Sequence, residues 1–154
     1  MALQIPTSRL SPKNQATLPR DSRALSGLRE GGVVCGRTGW AATDDGAKRY
    51  PIIQLFTMDE LDKRERAMRE RFAGDAGKLF KMVTLLNAGV RQMALDSQNR
   101  VVLPAPFVEH LGVDRDLFFV ATTETVQVWN PDHFVAWSSS DQGSGDGDLS
   151  LLMI

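Results

Sequence analysis

Residues 95–112 read Leu95-Asp96-Ser97-Gln98-Asn99-Arg100-Val101-Val102-Leu103-Pro104-Ala105-Pro106-Phe107-Val108-Glu109-His110-Leu111-Gly112. Asp96 to Asn99 suits a tight four-residue turn: an aspartate carboxylate accepts a hydrogen bond from backbone two residues on, and asparagine tolerates the left-handed conformation. Val90 to Leu95 before the turn and Arg100 to Leu103 after it are β-rich, so the segment is expected to form a hairpin. Pro104 and Pro106 suit the first turn of a short helix. Phe107, Val108 and Leu111 share a face of it, and Gly112 is a natural stop.

The unit occurs twice. Leu10-Ser11-Pro12-Lys13-Asn14-Gln15-Ala16-Thr17-Leu18-Pro19 lies eighty-five positions earlier, pairing Leu10 with Leu95, Asn14 with Asn99, Leu18 with Leu103, Pro19 with Pro104 and Gly27 with Gly112. The same offset pairs Val33-Val34 with Phe118-Phe119. Further on, Ile53-Gln54-Leu55-Phe56 matches Val126-Gln127-Val128-Trp129 at an offset of seventy-three, which puts twelve extra residues in the first copy between Cys35 and Pro51. One such unit is too small to bury a core comfortably, so two copies interleaving around a shared core are expected.

Asp-x-x-Asn-Arg-x-x-Leu-Pro, the short helix, the hydrophobic strand and the closing Val126-Gln127-Val128-Trp129-Asn130-Pro131-Asp132-His133-Phe134 together resemble the second half of MraZ. The resemblance runs over residues 3 to 137 and is closer in the second copy. It implies an α+β fold: two pseudo-symmetric AbrB-like swapped-hairpin repeats sharing one core, joined by linking helices. The implied division is 3–73 for the first SpoVT-AbrB-like repeat with its following helix and 74–137 for the linking helix and second repeat; by composition, 138–154 is expected to be a disordered acidic tail rich in serine and glycine. The resemblance also implies a transcriptional regulator that assembles into ring-like homo-oligomers. Its target is double-stranded DNA, in short repeated elements upstream of a division and cell-wall gene cluster. The family turn reads Asp-x-x-Gly-Arg in both repeats. Here Asn99 stands for the second glycine, while Ser11, Asn14 and Gln15 stand where the first repeat has Asp, Gly and Arg.

Composition sets the remaining bounds. Net charge is −1 over 154 residues, so the distribution of charge matters more than its sum. Residues 1–37 hold Arg9, Lys13, Arg20, Arg23, Arg29 and Arg37 against Asp21 and Glu30, a basic excess around the first turn and its helix. Arginine at a turn matters because its planar fork bridges phosphates or reads guanine from the major groove. Glutamine pairs with adenine but brings no charge. The expected DNA contacts are therefore Arg100 and Asn99 in the second turn, with Lys13, Gln15, Arg9 and Arg20 around the first. The first copy is expected to position the duplex and the second to discriminate sequence.

Met58 to Phe72 is expected to be a helix, capped by Thr57 with Glu60 completing a capping box. Its lysines and arginines are read as a solvated face balanced by Glu65 and Glu70. A second helix over Lys78 to Leu86 is expected to turn Leu79, Phe80, Val83 and Leu86 inward. The single cysteine, Cys35, excludes an intrachain disulfide and reads as a buried strand residue. His110 and His133 lack partners at catalytic or ligand spacing, so no enzyme, cofactor, metal or small-molecule substrate is expected. No apolar run approaches the roughly 20 residues that span a membrane. The N-terminus has no secretory pattern, and the expected location is the cytoplasm, at the nucleoid. The competing reading is an oligomeric protein-interaction module that has kept the fold and lost the DNA surface.

Overall fold

The structure is a computed structural model, described over residues 6–140. It mixes helices with antiparallel strands, an α+β architecture. The elements run β1 (Ser8–Arg9), β2 (Gln15–Thr17), α1 (Arg20–Ser26), β3 (Val33–Ala42), β4 (Arg49–Phe56), α2 (Met58–Arg71) and α3 (Ala76–Ala88). Then follow β5 (Val90–Ala94), β6 (Arg100–Val102), α4 (Ala105–Leu111), β7 (Asp116–Ala121), β8 (Val126–Trp129) and α5 (Pro131–Ser139). Six strands form one sheet in the order β1-β7-β8-β4-β3-β5, and β2 and β6 form a separate two-stranded ribbon.

The turn at 96–99 forms as its residues dictate. Asn99 N–H donates to Asp96 O at 3.0 Å, Asp96 N–H to Arg100 O at 3.0 Å, and Asn99 takes φ 60°. The expected hairpin does not follow from it. Beyond the turn the two strands part: β5 pairs with β3, and β6 pairs with β2 from the other half of the chain. A lone two-stranded hairpin would leave Val101 and Leu103 with little to bury against. Crossing to β2 sets Val101 opposite Ala16, and both are 1 % exposed. The first turn repeats the geometry, with Asn14 N–H to Ser11 O at 2.9 Å, Ser11 N–H to Gln15 O at 2.9 Å, and Asn14 at φ 60°.

The registers exchange the two halves. In the ribbon, Ala16 lies opposite its own counterpart Val101; Leu18 N–H reaches Asn99 O at 2.9 Å, and Leu103 N–H reaches Asn14 O at 2.8 Å. In the large sheet, Gln54 lies opposite Gln127. Cys35 faces Phe56 where Phe118 faces Trp129, so Cys35 corresponds to Phe118 and Val34 to Leu117. The expected match of Val33-Val34 with Phe118-Phe119 is therefore out by two. The α1–β3 connection is two residues longer than its counterpart, and Gly31 at φ 76° turns the chain there. The β3–β4 hairpin accordingly carries ten extra residues, 39–52 against 122–125, rather than twelve.

The core is assembled from matched positions of both halves: Leu10 with Leu95, Leu18 with Leu103, Val34 with Leu117, Ile53 with Val126, and Leu55 with Val128. A second cluster of Cys35, Phe56, Leu61 and Leu86 seats α2 and α3 on the sheet. Thr57 caps α2, its Oγ1 accepting from Glu60 N–H at 3.1 Å. Along α3, Leu86 is buried, but Phe80 points outward at 75 % exposure instead of inward. The helix meets its neighbours along a narrower stripe than the apolar spacing suggests. At the end of the described residues, Phe134 and Trp137 of α5 pack on Trp129 with ring centroids 5.2 and 5.0 Å away. Ser138 and Ser139 continue α5 past 137, and the remainder of the expected tail lies outside the described residues.

Gly36 marks the tightest approach in the core. A Cβ built there would lie 2.4 Å from Met93 Cε and 2.8 Å from Phe107 Cε2. The equivalent contact inverts the sizes: Ser22 stands for Phe107 and Phe119 for Gly36, and both line one hollow beside α1. Gly36→Ala is expected to destabilise the fold by about 1–3 kcal/mol through overpacking, while Ser22→Ala changes stability far less. Chemical denaturation of both variants checks this; equal midpoints for Gly36→Ala and the parent would refute the close contact.

Candidate nucleic-acid interface

The ribbon has two faces because side chains alternate along a strand. Ala16 and Val101 point into the core. Gln15, Thr17, Arg100 and Val102 form the other face, in two cross-strand pairs, Gln15↔Val102 and Thr17↔Arg100. Thr17 and Val102 are exposed, and Gln15 and Arg100 half-buried. Val102, at 53 %, is among the most exposed large apolar side chains of the described residues. A two-stranded ribbon has the width that a DNA major groove admits.

The two turns at the ends of this face differ chemically. Asp96 Oδ1 accepts from Gln98 N–H at 2.9 Å and Arg100 N–H at 2.8 Å, while Oδ2 takes the Arg100 Nε–H at 2.9 Å. One carboxylate thus closes the turn and fixes the base of the guanidinium fork. In the first turn Ser11 Oγ takes the equivalent backbone donors, Lys13 N–H at 3.2 Å and Gln15 N–H at 3.0 Å. Serine has no second oxygen to hold an arginine, and glutamine stands in the arginine's place. The two departures from the Asp-x-x-x-Arg pattern therefore belong together: the turn survives and the oriented cation is gone.

The structure also redistributes the basic residues. Arg20 does not flank the first turn. Because β2 crosses to β6, α1 lies beside the second turn, and Arg20, Arg23 and Arg29 line one open hollow with Asn99 and Glu30. Arg23 Nε–H donates to Leu18 O at 3.3 Å, which ties its side chain to the end of the ribbon. Positions equivalent to Arg20, Arg23 and Arg29 in the other half are Ala105, Val108 and Asp114. Lys13 stays exposed in the first turn. Arg9 sits apart, in a hollow with Asp114, Arg115, Asp116 and Asp132. Asn99 contributes backbone: its left-handed φ makes the turn, and its Oδ1 is shielded from solvent with no hydrogen-bond partner among the described residues.

Sequence reasoning gathers Arg100, Asn99, Gln15, Lys13, Arg20 and Arg9 into one candidate set. The first three lie on or beside the ribbon, Arg20 joins them from α1, Lys13 is at the far turn, and Arg9 lies elsewhere. Thr17 and Val102 are absent from that set, although the alternation Arg100-Val101-Val102 carries the signal. Arg23 and Arg29 belong to the basic excess, but at the second turn and not the first.

Several charged groups of α2 are paired within the helix. On α2, Lys63 and Arg64 pair with Glu60, Arg66 with Asp62, and Arg69 with Glu65. His110 Nε2 lies 2.9 Å from Gly39 O and its ring 4.7 Å from Trp40, bracing the long hairpin against α4. His133 lies against Tyr50. Cys35 is fully buried, and burial raises its thiol pKa. Among the described residues no group of three or more His, Cys, Asp or Glu could hold a metal ion, and no helix is long and apolar enough to cross a membrane.

The hydrogen bonds from Arg100 N–H, the Arg100 side chain and Gln98 N–H hold the Asp96 carboxyl below its ordinary range. A carboxylate with a lowered folded-state pKa adds stability that is fully present above its unfolded value, about 3.9. That stability is lost as pH falls through the lower folded value. We expect the Arg100 Nε–H resonance to persist below about pH 3.9 and to collapse only in more acid solution, with Asp96→Asn removing the transition. A carboxyl titrating at the ordinary aspartate value by NMR would contradict this.

The family model described as the antitoxin-like MraZ protein matches residues 86–145. The chain is 24 % identical to the transcriptional regulator MraZ of Ruegeria sp. (strain TM1040) over 89 residues, covering 58 % of this chain and 53 % of that protein. It is 26 % identical to the MraZ regulator of Chlorobaculum parvum (strain DSM 263 / NCIMB 8327), covering 66 % of this chain and 67 % of that one. With the MraZ regulator of Cereibacter sphaeroides (strain ATCC 17025 / ATH 2.4.3) the identity is 25 %, over 94 % of this chain and 90 % of the relative. The chain thus spans about half the length of one curated relative and nearly all of another. The family-model match covers the second turn, α4 and the β7–β8 hairpin, the part in which Asp96 and Arg100 are retained. The chain is thus similar to the MraZ regulators, through the family model over residues 86–145 and at 25–26 % identity over longer stretches.

Proposed function

We propose that this protein is a sequence-specific DNA-binding transcriptional regulator, built as two AbrB-like swapped-hairpin repeats that meet at the β2·β6 ribbon. The first repeat with its helix takes 3–73, and the linking helix and second repeat take 74–137. The observation that carries the reading is the ribbon's outward face: Arg100 held by Asp96, with Arg20, Arg23 and Arg29 beside the same turn. The ribbon enters the major groove. Arg100 contacts a guanine edge and Gln15 an adenine edge, while α1 grips the flanking phosphates. Lys13 adds a phosphate contact at the far end, and Arg9 acts only as a distant charge. Each chain then has one strongly basic reading end and one weaker end.

One ribbon makes few contacts, so affinity comes from several protomers on repeated elements, through effective concentration. The outward apolar side of α3, where Phe80 is exposed beside Leu79 and Val83, supports association of copies into the ring-like homo-oligomer of the family. The working location is the cytoplasm, on the nucleoid. The mode of action is repression by occupancy of DNA upstream of the protein's own division and cell-wall gene cluster. The protein does no catalysis and takes no small-molecule substrate or cofactor.

Binding to DNA from upstream of its own coding sequence tests the reading. Arg100→Ala is expected to cost about 1–3 kcal/mol on that duplex and far less on a scrambled one. Arg20→Ala combined with Arg23→Ala should weaken both duplexes by similar factors and flatten the log–log salt dependence by roughly 0.9 for each phosphate that is no longer neutralised. Unchanged affinity in folded variants, measured by anisotropy at several salt concentrations, would sink the assignment and leave a protein-interaction module as the better account.

A further inference from the structure

We infer that Val102 is a specificity determinant that recognises the C5-methyl group of a thymine, two base-pair steps from the base contacted by Arg100. The inference rests on the DNA-binding reading above and deepens it. Its starting point is a side chain that the fold does not require. Val102 follows the buried Val101, lies on the outward face, and is 53 % exposed. Its neighbours on that face are Gln15 directly opposite, Arg100 two residues along the same strand, and Thr17 on the diagonal. Three of the four can hydrogen-bond to base edges; Val102 alone can only make apolar contact.

The major groove offers one apolar feature among its donors and acceptors, the thymine methyl. Spacing favours the match. Residues two apart on an antiparallel strand are separated by about 6.8 Å. Base pairs stack at about 3.4 Å along each strand, so the same distance covers two steps. With the ribbon lying along the groove, Arg100 and Val102 face bases two steps apart. Gln15, across from Val102, reaches the same or the neighbouring pair, where an adenine edge lies opposite a thymine. The two side chains would then read both partners of one A·T pair. The counterpart of Val102 in the first half is Thr17, whose methyl and hydroxyl discriminate less sharply. The two ends of the ribbon therefore ask for different bases.

Deoxyuridine differs from thymidine only by lacking that methyl, which makes the test specific. Duplexes are selected by the full-length protein from a pool with a randomised core, and each thymine of the preferred site is then replaced singly by deoxyuridine. One replacement is expected to weaken binding about fourfold, the value of a single buried methyl group. Val102→Ala should bind the thymine duplex correspondingly less well and lose the difference between thymine and uracil, while keeping its preference at the Arg100 base. Val102→Thr, which retains the side chain's shape, should keep part of the discrimination, and thermal melts establish that both variants fold. If the parent selects a motif but Val102→Ala still distinguishes the two bases, Val102 is not the reader and only this inference falls. If the parent selects no motif from the pool, the DNA-binding reading falls and takes this one with it.

Discussion

Three residue pairs join β2 to β6: Gln15 with Val102, Ala16 with Val101, and Thr17 with Arg100. They are the point where the two halves of the chain exchange partners, and most of the structure depends on them. Burial of Ala16 and Val101 draws the two turns to opposite ends of one ribbon. The strands that enter the turns, β1 and β5, then lie at opposite edges of the large sheet, at whose centre Gln54 and Gln127 meet in a second crossing. Between the crossings lies one core, supplied almost equally by both halves. Removing either half would expose the apolar positions that the other covers.

The same crossing determines the electrostatics. Local reading assigns a helix's charge to the turn that precedes it in sequence. Exchange moves α1 to the turn of the other half, so three arginines from the first half share a hollow with Asn99 of the second turn. A protein of net charge −1 thereby sets Arg20, Arg23 and Arg29 beside the turn that carries Arg100. The remaining cations of α2 are largely matched by carboxylates one helical turn away, each such surface pair contributing at most about 1 kcal/mol.

Local features are legible in the sequence and non-local ones are not. The Asn14 and Asn99 turns, the Thr57 cap and the Gly112 stop all follow from a few adjacent residues, and all are present. A turn signal, however, says nothing about which strand pairs with the next one, so the segment around Asp96 imitates a simple hairpin. The two-residue slip at Val33-Val34 has the same origin: apolar dipeptides align almost equally well at neighbouring offsets, and only the pairing of Cys35 with Phe56 decides. Helical spacing turns Phe80 inward because it identifies a stripe without saying how much of it a neighbour covers. For the candidate interface, Arg100 is visible as a turn residue. Thr17 and Val102 need the knowledge that β2 and β6 share a ribbon, which makes their faces coincide.

Glycine against phenylalanine on one side, and phenylalanine against serine on the other, amounts to a knob-and-hole code between otherwise similar halves. Two second halves from different chains, meeting as these halves do, would bring Phe107 against Phe119 and overfill the site. Two first halves would set Ser22 against Gly36 and leave a void. Each half therefore fits its own chain's other half better than a copy of itself. The exchange is closed within one polypeptide, independent of protein concentration, and the ribbon stays chemically unequal from end to end.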